Sequence, residues 1–365
     1  DVMGKLEDNT MEDGEIEMLI DTYNTTLKNL KDGYNKSKDS MKDVEAVKED
    51  AVRSYGEESV ENTCRITRWA CYALLADLYL WKGDWQKCID CCDMVINQKI
   101  KEYEKEYEEN PTTMTVELYD IYPLISESLS NSNYAGNAYT EIFGAGNSFE
   151  SIFELNFVNN QSVANNTVSS FYGSSSNKTG QIGAPTFLYS DAYAGLNDYF
   201  AKTDCRYLEN MSESNNKIYI SKYVNQSVSF RTSTTTGAAP TVNGEVRSSA
   251  YANWIIYRLT DVMLMRAEAE IALAGNVEEG MTLTEEQLQH YRNAFSCISA
   301  VWKRANNKRT SSTGLLVFDE YATSRLAMEE LLFAERQREL MFEGKRWFDL
   351  VRISRRDGEN TRLIN

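Results

Sequence analysis

The feature that most constrains the fold is a pair of adjoining helical patterns separated by a short turn. Apolar and small residues recur at helical spacing over Ile66–Leu80 and again over Trp85–Ile96, where Asn97 is predicted to end the second helix. The turn between them contains Gly83. Small residues stand where the two helices would touch: Ala70, Cys71, Ala73, Ala76, Cys88 and Cys92. The pattern predicts a tetratricopeptide-like helical hairpin.

A related pattern returns near the carboxy end of the chain. Tyr257–Ala274 is predicted as an apolar helix and Glu285–Ala305 as its partner, with Thr284 and Gln287 resembling a capping box. A last long helix is predicted at about Thr323–Phe342. The sequence therefore predicts a mainly α-helical protein in which tetratricopeptide-like hairpins form a scaffold.

The segment between the hairpins has a different composition, rich in Asn, Ser, Thr, Gly and Tyr. It contains short strand-like pieces at Ser151–Phe157 and Lys217–Ile220. Its aromatic content is higher than a disordered linker would carry, which favours a folded, loop-rich recognition lobe. We predict a helical part at residues 1–110, the lobe at 111–250 and carboxy-terminal helices at 251–365, together forming one intertwined domain.

The charge and the motif content exclude several functions. The net charge of -17 argues against nucleic acid as a partner, because phosphate binding requires basic surfaces. The chain has no GxSxG, Walker A or GxGxxG pattern, and its one histidine, His290, is expected at the surface. We therefore expect a protein without catalytic residues.

Three of the seven cysteines form a CxxCC run at Cys88, Cys91 and Cys92. No second CxxC pair accompanies them, so a zinc site is not indicated. Cys88 and Cys92 lie on one face of the predicted helix, where cysteine behaves as a small apolar residue. We predict buried free thiols, no metal and no cofactor.

The string from Ala334 to Arg352 (AERQRELMFEGKRWFDLVR) is very similar to the closing motif of the SusD/RagB family. The helices at Arg65–Leu80 and Tyr257–Ala269 also resemble helices of that family. The triplet Asp204-Cys205-Arg206 lies near the usual Asp-Pro-Arg position, with Cys205 in place of proline and a turn that the change could loosen. Together these motifs identify the chain as resembling a SusD/RagB-type binding protein.

The resemblance implies a location and partners. It implies a surface-exposed lipoprotein of the outer membrane that binds oligosaccharides and passes them to a SusC-like TonB-dependent transporter. Family members carry a longer amino-terminal region with a lipid-bearing cysteine, and we expect that part of this region, including the lipid anchor, is not present in this chain. The helical scaffold is expected to provide the docking surface for the transporter.

Other functions remain open at this stage. The same fold could capture peptides or another nutrient. A tetratricopeptide adaptor would bind proteins, but the Asn- and Ser-rich middle of the chain contradicts uninterrupted repeats. A glycoside hydrolase would need two acids across a cleft, whereas Glu335, Glu339 and Glu343 fall at helical spacing with Arg338 and Arg346 between them, which predicts a salt-bridged helix face.

A neutral glycan site needs aromatic rings for stacking and amides or carboxylates for hydrogen bonds. The predicted lobe supplies both kinds of side chain. We predict that Phe171, Tyr172 and Tyr189 form the platform. The full set of candidate ligand-binding residues is Phe171, Tyr172, Tyr189, Tyr193, Tyr134 and Asn160. At the end of the chain, Trp347 and Phe348 are predicted to pack against neighbouring helices.

Overall fold

The structure is a computed structural model that describes residues 40–57, 59–127, 129–130, 133–134, 137–158, 164–173, 180–194, 199–201, 203–214, 217–231, 241–306 and 315–358. The chain divides into two compact units, Asp1–Asp50 and Ala51–Asn365. In the first unit, residues 40–47 form helix α1. The amphipathic helix predicted near residues 18–30 lies outside the described residues.

The second unit contains the remaining elements. Its helices are α2 (Glu61–Cys64), α3 (Arg68–Lys82), α4 (Trp85–Glu109), α5 (Asn137–Tyr139, continued by a π-helix at Thr140–Ala145), α6 (Asn166–Phe171), α7 (Thr186–Ala194), α8 (Arg206–Asn210), α9 (Leu259–Leu273), α10 (Glu285–Ala305), α11 (Phe318–Tyr321), α12 (Arg325–Glu339) and α13 (Arg346–Asp357). Its strands are β1 (Val116–Tyr119), β2 (Tyr122–Ile125), β3 (Leu129–Ser130), β4 (Asn133–Tyr134), β5 (Ser151–Leu155), β6 (Met211–Ser214), β7 (Lys217–Ile220), β8 (Asn225–Arg231), β9 (Thr241–Val246) and β10 (Trp254–Arg258).

Helices α3 and α4 form the predicted hairpin. The Thr67 side chain caps α3 by accepting a hydrogen bond from the Ala70 N–H, and Gly83 ends the helix at φ +78°. The prediction that α4 ends at Asn97 is wrong, because the helix continues to Glu109. The added turns are rich in Glu and Lys, which form helix well without burying an apolar face.

Helices α9 and α10 form the second hairpin. The predicted α10 bounds and the capping box between Thr284 and Gln287 are confirmed. The start predicted for α9 is wrong, because Tyr257 and Arg258 belong to strand β10, which pairs antiparallel with β5. The apolar run there is equally typical of a buried strand, so hydrophobic periodicity could not distinguish a strand from the start of a helix.

The helices from both ends of the second unit form one scaffold. Helix α9 contacts α4 from the first hairpin as well as α10 and α12. The cysteines in α4 are free and buried, as predicted, and Cys88 and Cys92 face the interior with no exposed surface. The mainly helical architecture expected from the sequence is thereby confirmed. The three-part division at residues 110 and 250 stays a prediction.

The middle lobe is built from small antiparallel sheets and short helices. A four-stranded sheet has the order β3-β4-β8-β9, and β1-β2 and β6-β7 form two-stranded hairpins. The strand predicted at Lys217–Ile220 is confirmed as β7. A buried cluster that includes Tyr139, Phe143 and Tyr223 joins this lobe to strand β10. Among the described residues, no helix is both long enough and apolar enough to cross a bilayer.

Candidate functional site

Phe171 is the last residue of helix α6 and its side chain is 41% exposed. Its carbonyl accepts a hydrogen bond from the Ile182 N–H at 2.9 Å, which brings the segment after residue 180 alongside the end of the helix. Ile182 and Phe187 in that segment are also exposed. Phe171 is therefore accessible to a ligand, and its role in binding stays a prediction.

Tyr172 is half-buried, and both its ring and its hydroxyl contact other residues of the protein. The hydroxyl donates to the Phe342 carbonyl at 2.8 Å, and the ring packs edge-on against Phe342 at 6.2 Å and lies 6.5 Å from Trp254. Burial raises the pKa of the phenol to about 12. These contacts join helix α6 to the segment after α12, so Tyr172 positions its exposed neighbour Phe171.

Tyr189 lies in the core of the lobe. It is 4% exposed and its ring packs against Tyr207 in a T-shaped arrangement at 5.9 Å. The structure therefore does not bring Tyr189 together with Phe171 on an open surface. Its place in the chain could not reveal this, because a nine-residue helix in a loop-rich segment gives little indication of which face is buried.

The other three predicted residues cannot be placed as fully. The backbone of Tyr134 pairs with Phe230 between strands β4 and β8, and the backbone of Tyr193 lies in helix α7. Asn160 lies outside the described residues. Their participation in a site stays a prediction.

A cavity of about 250 Å³ opens beside helix α6. Its wall combines Ser169 from that helix with Arg247, Ser248 and Ser249 from the segment after strand β9. Pockets for drug-sized ligands are usually larger, at roughly 300–1,000 Å³. The cavity therefore has the size for one sugar ring or a similar polar group rather than for a whole oligosaccharide.

Asn165 holds the two walls of this cavity together. Its Nδ2 donates to the Ala252 carbonyl at 2.9 Å, and its Oδ1 accepts from the Val168 N–H at 3.3 Å as the cap of helix α6. Its backbone N–H donates to the Ala250 carbonyl at 2.7 Å. Because its side chain satisfies groups on both walls, Asn165 fixes the position of Ser169 relative to the serines at 248 and 249.

Arg247 is the charged residue of this cavity, and it is 6% exposed. Its Nε donates to the Tyr223 carbonyl at 3.2 Å, and its Nη2 donates to the carbonyls of Phe143 and Gly144, the latter at 2.5 Å. Its guanidinium carbon lies 4.8 Å from the centre of the Tyr251 ring. These contacts hold the guanidinium rigidly at the cavity wall.

No carboxylate neutralises Arg247 among the residues that the structure describes. Burial lowers the pKa of this guanidinium from its ordinary value, and the tyrosines at 139 and 251 only partly offset that effect. A buried cation that has only neutral partners is costly to desolvate. The cavity is thus a local positive site in an acidic protein.

A larger cavity of about 440 Å³ lies in the helical scaffold. Trp81, Trp254 and Phe348 contribute rings to it. Its charged groups already pair with one another, as Arg336 does with Asp261 at 3.2 Å. A polar ligand there would compete with these pairs, so the smaller cavity in the lobe is the better candidate.

The carboxylates of the closing motif form a buried ion network. Glu339 accepts hydrogen bonds from Arg206 at 3.0 Å, from Arg258 at 2.6 Å and from Arg304. Burial alone would raise the pKa of Glu339, but the guanidiniums of Arg304, Arg258 and Arg206 outweigh it and hold the pKa well below its ordinary value. The carboxylate therefore stays ionised at neutral pH, a state that does not suit a catalytic acid.

Glu343 and Glu335 extend this network. Glu343 bonds Lys222 at 2.6 Å and Arg258 at 2.8 Å, and Glu335 bonds Arg206 at 2.6 Å. Lys222 is fully enclosed, and burial lowers its pKa despite the attraction of Glu343. The motif therefore ties helix α12 to strand β10, helix α8 and helix α10 from inside the protein.

Two predictions about the closing motif need correction. The carboxylates do form the predicted structural ion network, but apart from Arg338 their partners are cations distant in sequence and not the interleaved arginines. Arg338 does bond Glu335 at 2.8 Å, but Arg346 forms no ion pair within the described residues. Trp347 and Phe348 do not anchor the chain end, since their side chains are 65% and 57% exposed.

His290 is half-buried rather than on the surface, and its Nδ1 lies 2.5 Å from Glu270 Oε2. Among the described residues, Glu127, Cys205 and Glu209 have possible metal-ligand atoms within 4.8 Å of one another. They line a water-sized space of about 20 Å³ that is also lined by the cationic groups of Arg206, Lys222, Arg258 and Arg304. That positive surrounding disfavours a metal cation.

The fold and this cavity define a class of protein: a helical scaffold that carries a mixed α/β lobe with a small polar cavity. Comparison with known proteins identifies the family. The profile of the SusD family matches residues 149–365, which is more than half of the chain. The chain belongs to the SusD family. A search of the curated proteins finds no match.

Solved structures of SusD proteins are similar to this chain, and one of them, with a TM-score above 0.5, shares the fold. A SusD superfamily protein from Bacteroides thetaiotaomicron VPI-5482 is 16% identical, with a TM-score of 0.51 over 89% of this chain and 59% of that chain. A SusD superfamily protein from Bacteroides vulgatus ATCC 8482 is 18% identical, with a TM-score of 0.49 over 86% of this chain and 56% of that chain. A SusD-like carbohydrate binding protein from the same organism is 14% identical, with a TM-score of 0.48 over 86% and 50%. The chain thus spans little more than half the length of these relatives.

Proposed function

We propose that this protein binds oligosaccharides at the cell surface, without catalysis, and delivers them to a TonB-dependent transporter of the outer membrane. Membership of the SusD family supports this function. The observation on which the proposal chiefly depends is the cavity in the lobe, whose wall contains serines and Arg247. Phe171 does not line this cavity, but its exposed side chain lies on the same short helix as Ser169. Donors and an open ring face are the groups that a sugar needs.

Several parts of this proposal concern the whole protein. The transporter would dock on the helical scaffold, and a lipid anchor would hold the protein at the outer membrane. The lobe at residues 111–250 would bind the ligand while the helices at 1–110 and 251–365 support it. The absence of catalysis is supported by the pairing of Glu335, Glu339 and Glu343 with buried cations, because carboxylates committed to ion pairs are poor general acids.

The proposal is tested by isothermal titration with panels of oligosaccharides and of peptides. We expect an oligosaccharide to bind and Phe171→Ala to weaken binding by roughly 2- to 10-fold, the worth of one stacked ring. Tyr107→Ala is the matched control, because Tyr107 is 54% exposed but lies on the scaffold helix α4. Equal weakening of oligosaccharide binding by the two variants would refute the assignment of ligand binding to the lobe.

The same experiment separates the other functions. Binding of peptides with no binding of any oligosaccharide would replace glycan capture by peptide capture on the same fold. Chromatography of the glycans after incubation checks for shorter products. Release of such products by the purified protein would contradict the non-catalytic part of the proposal.

A further inference from the structure

We propose that the cavity beside helix α6 selects glycans that carry an anionic group, either a uronic acid carboxylate or a sulfate ester. The inference rests on the proposed function, because it names the class of glycan that the same site takes. It starts from Arg247, the one cation among the described residues that line the cavity, and from the lack of an acidic residue among them.

The hydrogen bonds of Arg247 leave part of its guanidinium available. Its Nε and Nη2 donate to three backbone carbonyls and the Tyr251 side chain contacts the guanidinium, whereas no hydrogen bond from Nη1 to a carbonyl or carboxylate is present within the described part of the chain. The carbonyls orient the guanidinium but do not neutralise it. An anionic oxygen at Nη1 would supply the missing counter-charge in a partly desolvated place, where a charge-assisted hydrogen bond is strongest.

The other buried arginines show that this arrangement is particular to the cavity. Arg206, Arg258, Arg304 and Arg336 each pair with at least one carboxylate at 3.2 Å or less. The fold therefore provides acidic partners for cations that have a purely structural role. Arg247 is left with carbonyl partners at a place where a ligand-sized space adjoins it.

The rest of the wall suits an acidic sugar. Ser248 and Ser249 place side chains of the hydroxyl type in this wall, and the Ser169 hydroxyl, which donates to the Asn166 carbonyl at 3.0 Å, keeps lone pairs that can accept from ring hydroxyls. The volume of about 250 Å³ accommodates one charged sugar residue, and the remaining residues of an oligosaccharide would extend outside the cavity. Since the whole chain has a net charge of -17, its long-range field repels an anionic glycan, and binding of such a glycan depends on this local site.

The test uses pairs of oligosaccharides that differ only in charge. Oligogalacturonides are compared with their methyl esters, and sulfated galactan oligosaccharides with their desulfated forms. We expect the anionic member of at least one pair to bind about tenfold more tightly or better, the worth of one charge-assisted hydrogen bond. The pair that shows the preference tells whether the carboxylate or the sulfate is the group recognised.

Two substitutions locate the preference. Arg247→Gln removes the charge but also removes donors to three carbonyls, so its stability must be measured alongside. Ser169→Phe fills the cavity from a half-buried position of helix α6 and leaves Arg247 in place. Ser170→Phe is the matched control, because this neighbouring side chain is exposed and does not line the cavity. We expect Ser169→Phe to abolish the charge preference and Ser170→Phe to retain it.

The outcomes separate this inference from the proposed function. Binding of neutral glycans as tightly as their anionic partners in both pairs would overturn the inference and leave glycan capture standing. A charge preference that remains in the Ser169→Phe variant would show that the cavity beside helix α6 is not where the anionic group binds. Failure of every glycan, anionic or neutral, would overturn the proposed function itself.

Discussion

The buried carboxylate of Glu339 offers the most direct test of the scaffold. Its two oxygens accept hydrogen bonds from Arg206, Arg258 and Arg304, and its side chain is 2% exposed. The substitution Glu339→Gln keeps the shape of the side chain but removes the charge that these three guanidiniums share. It also places an amide N–H₂ group where a carboxylate oxygen accepted hydrogen bonds.

The expected loss of stability follows from the burial of the partners. Removing one member of a buried ion pair costs about 3–5 kcal/mol because the other charge is left uncompensated. The remaining carboxylates offset part of this, since Asp204 and Glu335 still pair with Arg206, and Glu150 with Arg304. We therefore expect the lower end of that range, about 3 kcal/mol in the free energy of unfolding at neutral pH.

The pH dependence gives an independent check. Because the folded protein holds the pKa of Glu339 well below its ordinary value, the carboxylate stabilises the fold fully above the ordinary pKa. That contribution is lost as the pH falls from the ordinary value, about 4.3, through the lower pKa of the folded state. The stability difference between the wild-type protein and Glu339→Gln should thus be largest at neutral pH and shrink below about pH 4.

Urea unfolding followed by circular dichroism measures both effects. The control is Glu285→Gln, which removes a surface pair with Arg292 at 3.4 Å whose glutamate is 84% exposed. Such pairs contribute about 0–1 kcal/mol. If Glu339→Gln costs no more than this control, or if its cost does not change with pH, the carboxylate does not hold the scaffold together and the reasoning is refuted.

Three further predictions concern single positions. Gly83→Ala should lower the free energy of unfolding by about 1 kcal/mol in urea titration, because alanine is strained at the φ of +78°. The added Cβ itself would not clash, since its nearest neighbour is Trp85 at 3.5 Å. No loss of stability would show that the turn changes its conformation to accept alanine. Cys205→Pro, which introduces the residue common in the family, should cost about 1–3 kcal/mol because its N–H donates to the Ala305 carbonyl at 3.0 Å; a gain in melting temperature would contradict this. Tyr189→Ala should lower the free energy of unfolding by about 3–5 kcal/mol, because the side chain is buried. Tyr189→Phe should leave the affinity for oligosaccharide unchanged in titration, and weaker binding by this variant would show that Tyr189 contributes to the binding site.

The parts of the fold that local sequence determines were predictable. Helix α10 begins at a capping box and follows one helical period, so its bounds of Glu285 and Ala305 are confirmed. The turn at Gly83 was predictable because glycine readily adopts the positive φ with which helix α3 ends. Strand β10 was missed because a short apolar run forms a strand or a helix according to its neighbours, and here β5 supplies the partner.

The candidate site was less predictable because it depends on tertiary packing. Phe171, Tyr172 and Tyr189 are all aromatic residues in polar surroundings, yet one is exposed, one half-buried and one in the core. Arg247 was not singled out, since an arginine among serines gives no indication that it will be buried without an acidic partner. That property arises only when strands and helices distant in sequence enclose it.

The ion network around Glu339 also has a consequence for the order of synthesis. Its partners Arg206, Arg258 and Arg304 precede it by 133, 81 and 35 residues. Since a chain is made from its amino end, these three guanidiniums emerge before the carboxylate that they share. A chain interrupted between Arg304 and Glu339 would contain the lobe but lack this carboxylate in its core. The closing motif thus makes the stability of the lobe depend on translation through Glu339.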